Sequence, residues 1–120
     1  DYAIRIDANQ GYDSAQTIAF YQQTKHLKIE LIEQPLPAKA ISEMKALPDE
    51  VREVIAADES LISPVHALEL VKPPRACGIF NIKLMKCGGV SQGLKIADIA
   101  LHEGIDLFWG CNDESIVSIT

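Results

Sequence analysis

The sequence predicts an α/β protein built as a partial (β/α) TIM-type barrel of about five consecutive strand–helix units. Short β-branched runs alternate with amphipathic stretches, unit after unit, at about 25 residues per unit. Strict alternation of this kind demands crossover connections and therefore parallel strands. The loop after the first strand, Asn9-Gln10-Gly11, carries no Gly-x-Gly-x-x-Gly, and no Walker A loop occurs in the chain. A nucleotide-binding open sheet is therefore disfavoured against a barrel. A complete barrel needs ~200 residues or more, so the 120 residues present supply five of its strands at most.

The elements follow in order. Tyr2 to Asp7 alternates as a strand, with Tyr2, Ile4 and Ile6 on one face and Ala3, Arg5 and Asp7 on the other. A helix follows from Asp13 or Ser14, either of which can cap it, to about His26. Ile29 to Glu33 reads as the second strand, closed by Gln34-Pro35-Leu36-Pro37, and Ile41 to Leu47 as a short helix. Val54 to Asp58 is the third strand. Ser63-Pro64 combines a cap with proline at the first helical position, and that helix runs to about Val71. Ile79 to Met85 is the fourth strand, ended by Gly88-Gly89. The next helix spans about Ser91 to His102, with Leu94, Ala97 and Leu101 as its apolar face and Gly104 as its stop. Ile105 to Gly110 is the fifth strand, and Ser115 is placed to open a further helix.

Composition excludes several classes. Hydrophobic residues make up 48% and charged residues 23%, the balance of a globular protein. No apolar run approaches the ~20 residues of a membrane helix, and no signal-peptide pattern opens the chain. A net charge of -6 argues against nucleic acid as a partner. Cys77, Cys87 and Cys111 form no Cys-x-x-Cys pair. They read as reduced, buried thiols of a cytoplasmic protein. His26, His66 and His102 fall in helical stretches without clustering and are expected at surfaces or helix ends.

The strand ends carry the chemistry. Asp7, Glu33, Asp58 and Lys83 follow one another at intervals of 26, 25 and 25 residues. In a parallel barrel the C-terminal ends of the strands open on one mouth, where active sites lie. Successive units should therefore bring these side chains together. Three carboxylates in one place would repel, and a hard divalent cation such as Mg²⁺ resolves that conflict. By strand parity Phe80, Ile82 and Leu84 meet the helices, while Asn81, Lys83 and Met85 point inward. Desolvation and a neighbouring cation would both lower the pKa of Lys83 toward that of a general base. Lys86 has the opposite parity and is expected to be a solvated loop lysine, off the mouth.

At these residues the chain resembles the enolase superfamily, in particular its muconate-lactonizing enzyme subgroup. The matching stretches are Ile6-Asp7-Ala8-Asn9, Ile32-Glu33-Gln34-Pro35, Ala57-Asp58-Glu59-Ser60 and Ile82-Lys83-Leu84-Met85-Lys86-Cys87-Gly88-Gly89. Gly110-Cys111-Asn112-Asp113-Glu114-Ser115 resembles that family's seventh-strand end. The resemblance implies a fragment of a C-terminal catalytic barrel domain, spanning the third to seventh strands over residues 1–120. The other strands and a capping domain would lie outside it. It implies Mg²⁺, with Mn²⁺ as a substitute, on Asp7, Glu33 and Asp58. The reaction implied is proton abstraction next to a substrate carboxylate through an enediolate, with Lys83 as acid or base on one face. A second lysine, from a Lys-x-Lys motif on the second strand, would serve the other face from outside this sequence. Asn9, Asp113 and Glu114 are implied near the substrate or behind the residues that touch it.

Within the subgroup the closest likeness is to dipeptide epimerases of the L-Ala-D/L-Glu type, so the expected partner is a small carboxylate such as a dipeptide. A cycloisomerase or o-succinylbenzoate synthase would use the same metal and lysines. A third alternative is an inactive barrel piece whose open sheet edges pair it with another copy, since unpaired edges seek partners.

Overall fold

The structure, a computed structural model, describes residues 2–112. Ser115 and the helix expected from it lie outside these residues. Five strands are present: β1 (Ile4–Asp7), β2 (Ile29–Glu33), β3 (Ile55–Ala57), β4 (Ile79–Ile82) and β5 (Asp106–Trp109). Between them lie α1 (Ser14–Thr24), a 3-10 turn (Lys25–Leu27), α2 (Ile41–Ala46), α3 (Asp49–Arg52), α4 (Pro64–Val71), α5 (Leu84–Cys87) and α6 (Val90–Glu103). All strand pairs are parallel, in the order β1-β2-β3-β4-β5. The sheet curls into a half-barrel. Its curvature brings the Arg5 guanidinium of β1 over the Phe108 ring of β5, 5.0 Å from the centroid, although these two strands are not hydrogen-bonded to each other.

Local sequence explains the helix starts. Asp13 caps α1 by accepting from the Gln16 backbone N–H at 2.8 Å, and Gln16 Oε1 accepts from the Asp13 N–H at 3.0 Å. This reciprocal box satisfies two donors that a helix start leaves open. Ser63 caps α4, with Pro64 at the first position. At the far end of α6, Gly104 adopts φ 63 and closes the helix in the left-handed region that glycine tolerates.

The main core lies between the sheet and its helices. Ile55, Phe80 and Ile82 meet Leu70, Ile96 and Ala100 there, with Leu36, Met44 and Val51 extending the core under β2 and β3. A second, smaller cluster of Leu31, Ala56 and Ile79 with Phe108 fills the concave side. The two clusters express the alternation of strands buried on both faces.

Three expectations need correction. The buried face of α6 is Gly93, Ile96 and Ala100, while Leu94 and Leu101 are 56% and 78% exposed. Two stripes on this helix carry apolar residues, and the one with the smaller side chains wins because it lets the helix sit close to the sheet. A Cβ at Gly93 would lie 3.0 Å from Leu84 Cδ2. The third strand ends at Ala57, and Asp58 stands one residue beyond it. The fourth strand ends at Ile82, and the chain turns at once into α5. Met85 therefore leaves the strand parity and is 58% exposed instead of pointing inward. No helix among the described residues is long and apolar enough to cross a membrane.

Candidate active site at the strand ends

Asp7 and Glu33 are the last residues of neighbouring strands and are partners in register. Asp58 follows β3 and Lys83 follows β4 as the residue before α5. A parallel sheet turns all these ends to one side, so residues 25 to 48 positions apart meet there. Lys83 Nζ donates to Asp58 Oδ2 at 2.7 Å and lies 3.6 Å from Glu33 Oε1. Asn81, two residues back on the same face of β4, donates through Nδ2 to Glu33 Oε1 at 2.7 Å. A cavity of about 470 Å³ opens over them, bordered by Asp7, Asn9, Asp58, Glu59, Lys83 and Lys86, with Cys111 and Asn112 from beyond β5.

Electrostatics separates the groups. Burial pushes the Glu33 carboxyl above the ordinary range, and the charges of Asp58 and Asp7 push the same way against the hydrogen bond from Asn81. Burial also acts to raise Asp58, but hydrogen bonds from Lys83 and Lys86 prevail and hold it below the ordinary range. For Lys83, burial acts downward, and the hydrogen bond to Asp58 with the charges of Asp58 and Glu33 outweighs it. Its pKa is raised. The carboxylates of Asp58 and Glu33 are the charges that raise it.

Lys86 is a correction at the mouth. It is not a solvated loop lysine: its side chain is 14% exposed, and its Nζ donates to the Asp58 carbonyl oxygen at 2.7 Å and to the Asp58 carboxylate. Burial lowers its pKa despite Asp58. Strand parity does not apply to it, because α5 rotates the chain after Lys83. The signal for this was the run Leu84-Met85-Lys86-Cys87 before Gly88, a helical turn with a left-handed glycine stop at φ 85.

Asn9 lies at the rim with φ 46, and its N–H donates to Asp7 Oδ1 at 2.9 Å. Asp113 and Glu114 lie outside the described residues. Sequence reading missed Asn81 as a site residue, although its parity with Lys83 marked it. It also missed Gly110, where a Cβ would come 2.5 Å from Asn81 Oδ1 and 3.1 Å from Lys83 Cε. Only a glycine lets β5 pass this close to the site. Cys77 and Cys87 are buried as expected, and burial pushes the Cys77 thiol up to about 12. Cys111 is exposed instead, at the mouth.

The donor chemistry fits a hard divalent cation such as Mg²⁺. Asp7, Glu33 and Asp58 offer carboxylate oxygens. Beside them the buried Asn81 Oδ1 has no hydrogen-bond partner. As the side chains stand, no three His, Cys, Asp or Glu residues among those described converge tightly enough to hold an ion. Lys83 lies between Glu33 and Asp58, so coordination by the triad requires its ammonium group to swing aside.

Residues 1–120 match the family model described as enolase C-terminal domain-like. An L-Lys-D/L-Arg epimerase of Desulforapulum autotrophicum is 53% identical over 116 residues, covering 97% of the chain and 32% of the relative. An L-Ala-D/L-Glu epimerase of Clostridium acetobutylicum is 41% identical over 119 residues, covering 98% of the chain and 33% of the relative. The crystal structure of a dipeptide epimerase from Methylococcus capsulatus, complexed with Mg and the dipeptide L-Arg-D-Lys, superposes with a TM-score of 0.94 at 52% identity. That match covers 98% of this chain and 33% of that one. The chain thus spans about a third of the length of the relatives it matches.

Proposed function

Since the chain belongs to the enolase C-terminal domain-like family, we propose that it is the central part of a catalytic barrel domain whose full-length protein epimerises dipeptides with the help of Mg²⁺. The observation that carries this reading is the meeting of Lys83 with two strand-end carboxylates, 2.7 Å from Asp58 and 3.6 Å from Glu33. Similarity to dipeptide epimerases supports the substrate class. Relatives named for L-Lys-D/L-Arg are nearer in sequence than those named for L-Ala-D/L-Glu, at 53% against 41% and 38% identity, which favours dipeptides with basic side chains.

Asp7, Glu33 and Asp58 would hold the cation, with Mn²⁺ as a substitute. When bound, it supplies positive charge against the negative charge that builds on the substrate carboxylate as the neighbouring carbon loses its proton. This chain's residues do the rest. Lys83 moves the proton on one face of that carbon, with its ammonium group swung off the carboxylates that would hold the cation. Asn81 keeps Glu33 in place through its amide. The proposed partner on the opposite face is a lysine outside this sequence. Asn9, Asp113 and Glu114 are proposed near the substrate.

The test is solvent exchange in D₂O with Mg²⁺, followed by NMR on L-Lys-L-Arg and L-Ala-L-Glu with the full-length protein. Deuterium should enter at the carbon next to the carboxylate, faster for the basic dipeptide. Lys83→Ala should lower epimerisation by ~10²–10⁴-fold, the loss of a proton-transfer group. Exchange of neither dipeptide by the unaltered protein overturns the proposal.

A further inference from the structure

Gln34 is fully buried, polar and next in sequence to Glu33. Its Oε1 accepts three hydrogen bonds: from the Asp58 N–H at 2.9 Å, the Ser60 N–H at 3.1 Å and the Ser60 hydroxyl at 2.9 Å. Its Nε2 donates to the Leu36 carbonyl at 2.9 Å and lies 3.8 Å from Met44 Sδ. The amide orientation is forced, because backbone N–H groups only donate and a carbonyl only accepts. The Gln34 main chain binds in the same region. Its N–H donates to the Ala56 carbonyl at 2.9 Å, and its own carbonyl accepts from the Gln10 N–H at 2.7 Å. The backbone does this at φ 31, a conformation that side-chain-bearing residues rarely adopt.

We propose that Gln34 is a positioning residue that fixes the spacing of the three strand-end carboxylates. One residue ties together the segments that carry Asp7, Glu33 and Asp58: the loop after β1 through Gln10, its own strand, and the turn after β3 through Asp58 and Ser60. The glutamine amide joins an acceptor for three donors to a donor for the Leu36 carbonyl, where an ionised carboxylate of the same length has no donor. Groups that orient metal ligands from behind typically change metal affinity 10–100-fold when removed. This inference rests on the proposed Mg²⁺ site.

Calorimetric titration of the full-length protein with Mg²⁺ tests it, alongside melting temperatures. Gln34→Met keeps the length and leaves three donors without an acceptor, so the Mg²⁺ Kd of the folded variant should rise at least tenfold. Gln34→Glu retains the acceptor and loses only the donor to the Leu36 carbonyl, so its Kd should rise less than that of Gln34→Met. A lower melting temperature for Gln34→Met with an unchanged Kd means that Gln34 only supports the fold, and overturns the proposal. Equal weakening by both variants overturns it as well. If Gln34→Met does not fold, Ser60→Ala removes one of the three donors and should raise Kd at least threefold, and an unchanged value again overturns it. Failure of the unaltered protein to bind Mg²⁺ removes the metal site itself and this inference with it. Binding by the unaltered protein with no effect of Gln34→Met removes the inference alone.

Discussion

Replacing Lys86 by methionine tests the mouth where sequence and structure disagree most. The substitution keeps most of the aliphatic stem and removes the ammonium group. In the structure that group makes two hydrogen bonds to Asp58, one to its carbonyl and one to its carboxylate, and both side chains are mostly buried. A hydrogen bond that involves a charged group contributes about 1.5–3 kcal/mol, and the ammonium donor makes both of these such bonds. Two effects reduce that total. Asp58 keeps its bond from Lys83, so its charge is not stranded, and the desolvation that lowers the Lys86 pKa is relieved. The net loss should be about 2 kcal/mol, roughly a 30-fold shift in the folding equilibrium. Urea denaturation of the full-length protein, with Lys95→Met on the exposed side of α6 as control, measures it. The control should stay within about 0.5 kcal/mol of the unaltered protein. If Lys86→Met is no less stable than Lys95→Met, Lys86 is solvated after all, and the placement of α5 is wrong.

Two further outcomes follow from the same geometry. Gly93→Val forces side-chain carbons into space where a Cβ alone meets Leu84 Cδ2 at 3.0 Å and Cys87 Sγ at 3.7 Å. Overpacking of this kind costs about 1–3 kcal/mol, so calorimetry should show a lower melting temperature, and an unchanged one would mean that α6 is not seated on this stripe. Asp58 is held below its ordinary 3.8 by its two lysines. The stability it contributes is complete above that value and is lost as pH falls through the folded-state pKa. Melting temperatures between about pH 2 and 6 should therefore fall less steeply with acid in Asp58→Asn than in the unaltered protein, and parallel curves would contradict the pairing.

What the sequence determined by itself is the local and periodic part. The alternation of β-branched and amphipathic runs required parallel strands, Asp13, Ser63 and Gly104 marked helix ends, and the spacing of Asp7, Glu33, Asp58 and Lys83 put them on one side of the sheet. These are properties of single segments, set by backbone geometry and side-chain period. The tertiary structure decided everything that depends on which atoms meet across the sheet. It chose the Gly93 stripe of α6 over the Leu94 stripe, because close approach to the sheet outweighs the larger apolar side chains. It turned Lys86 back onto Asp58 through one helical turn that strand parity could not foresee. It paired Lys83 with Asp58 and Glu33, and it made Gln34 a buried junction between strands. The physical reason is the same in each case. Hydrogen bonds and charges act over a few ångströms, and the pairs that come so close are 24 to 48 residues apart in the chain, joined only once the strands have curled into a common mouth.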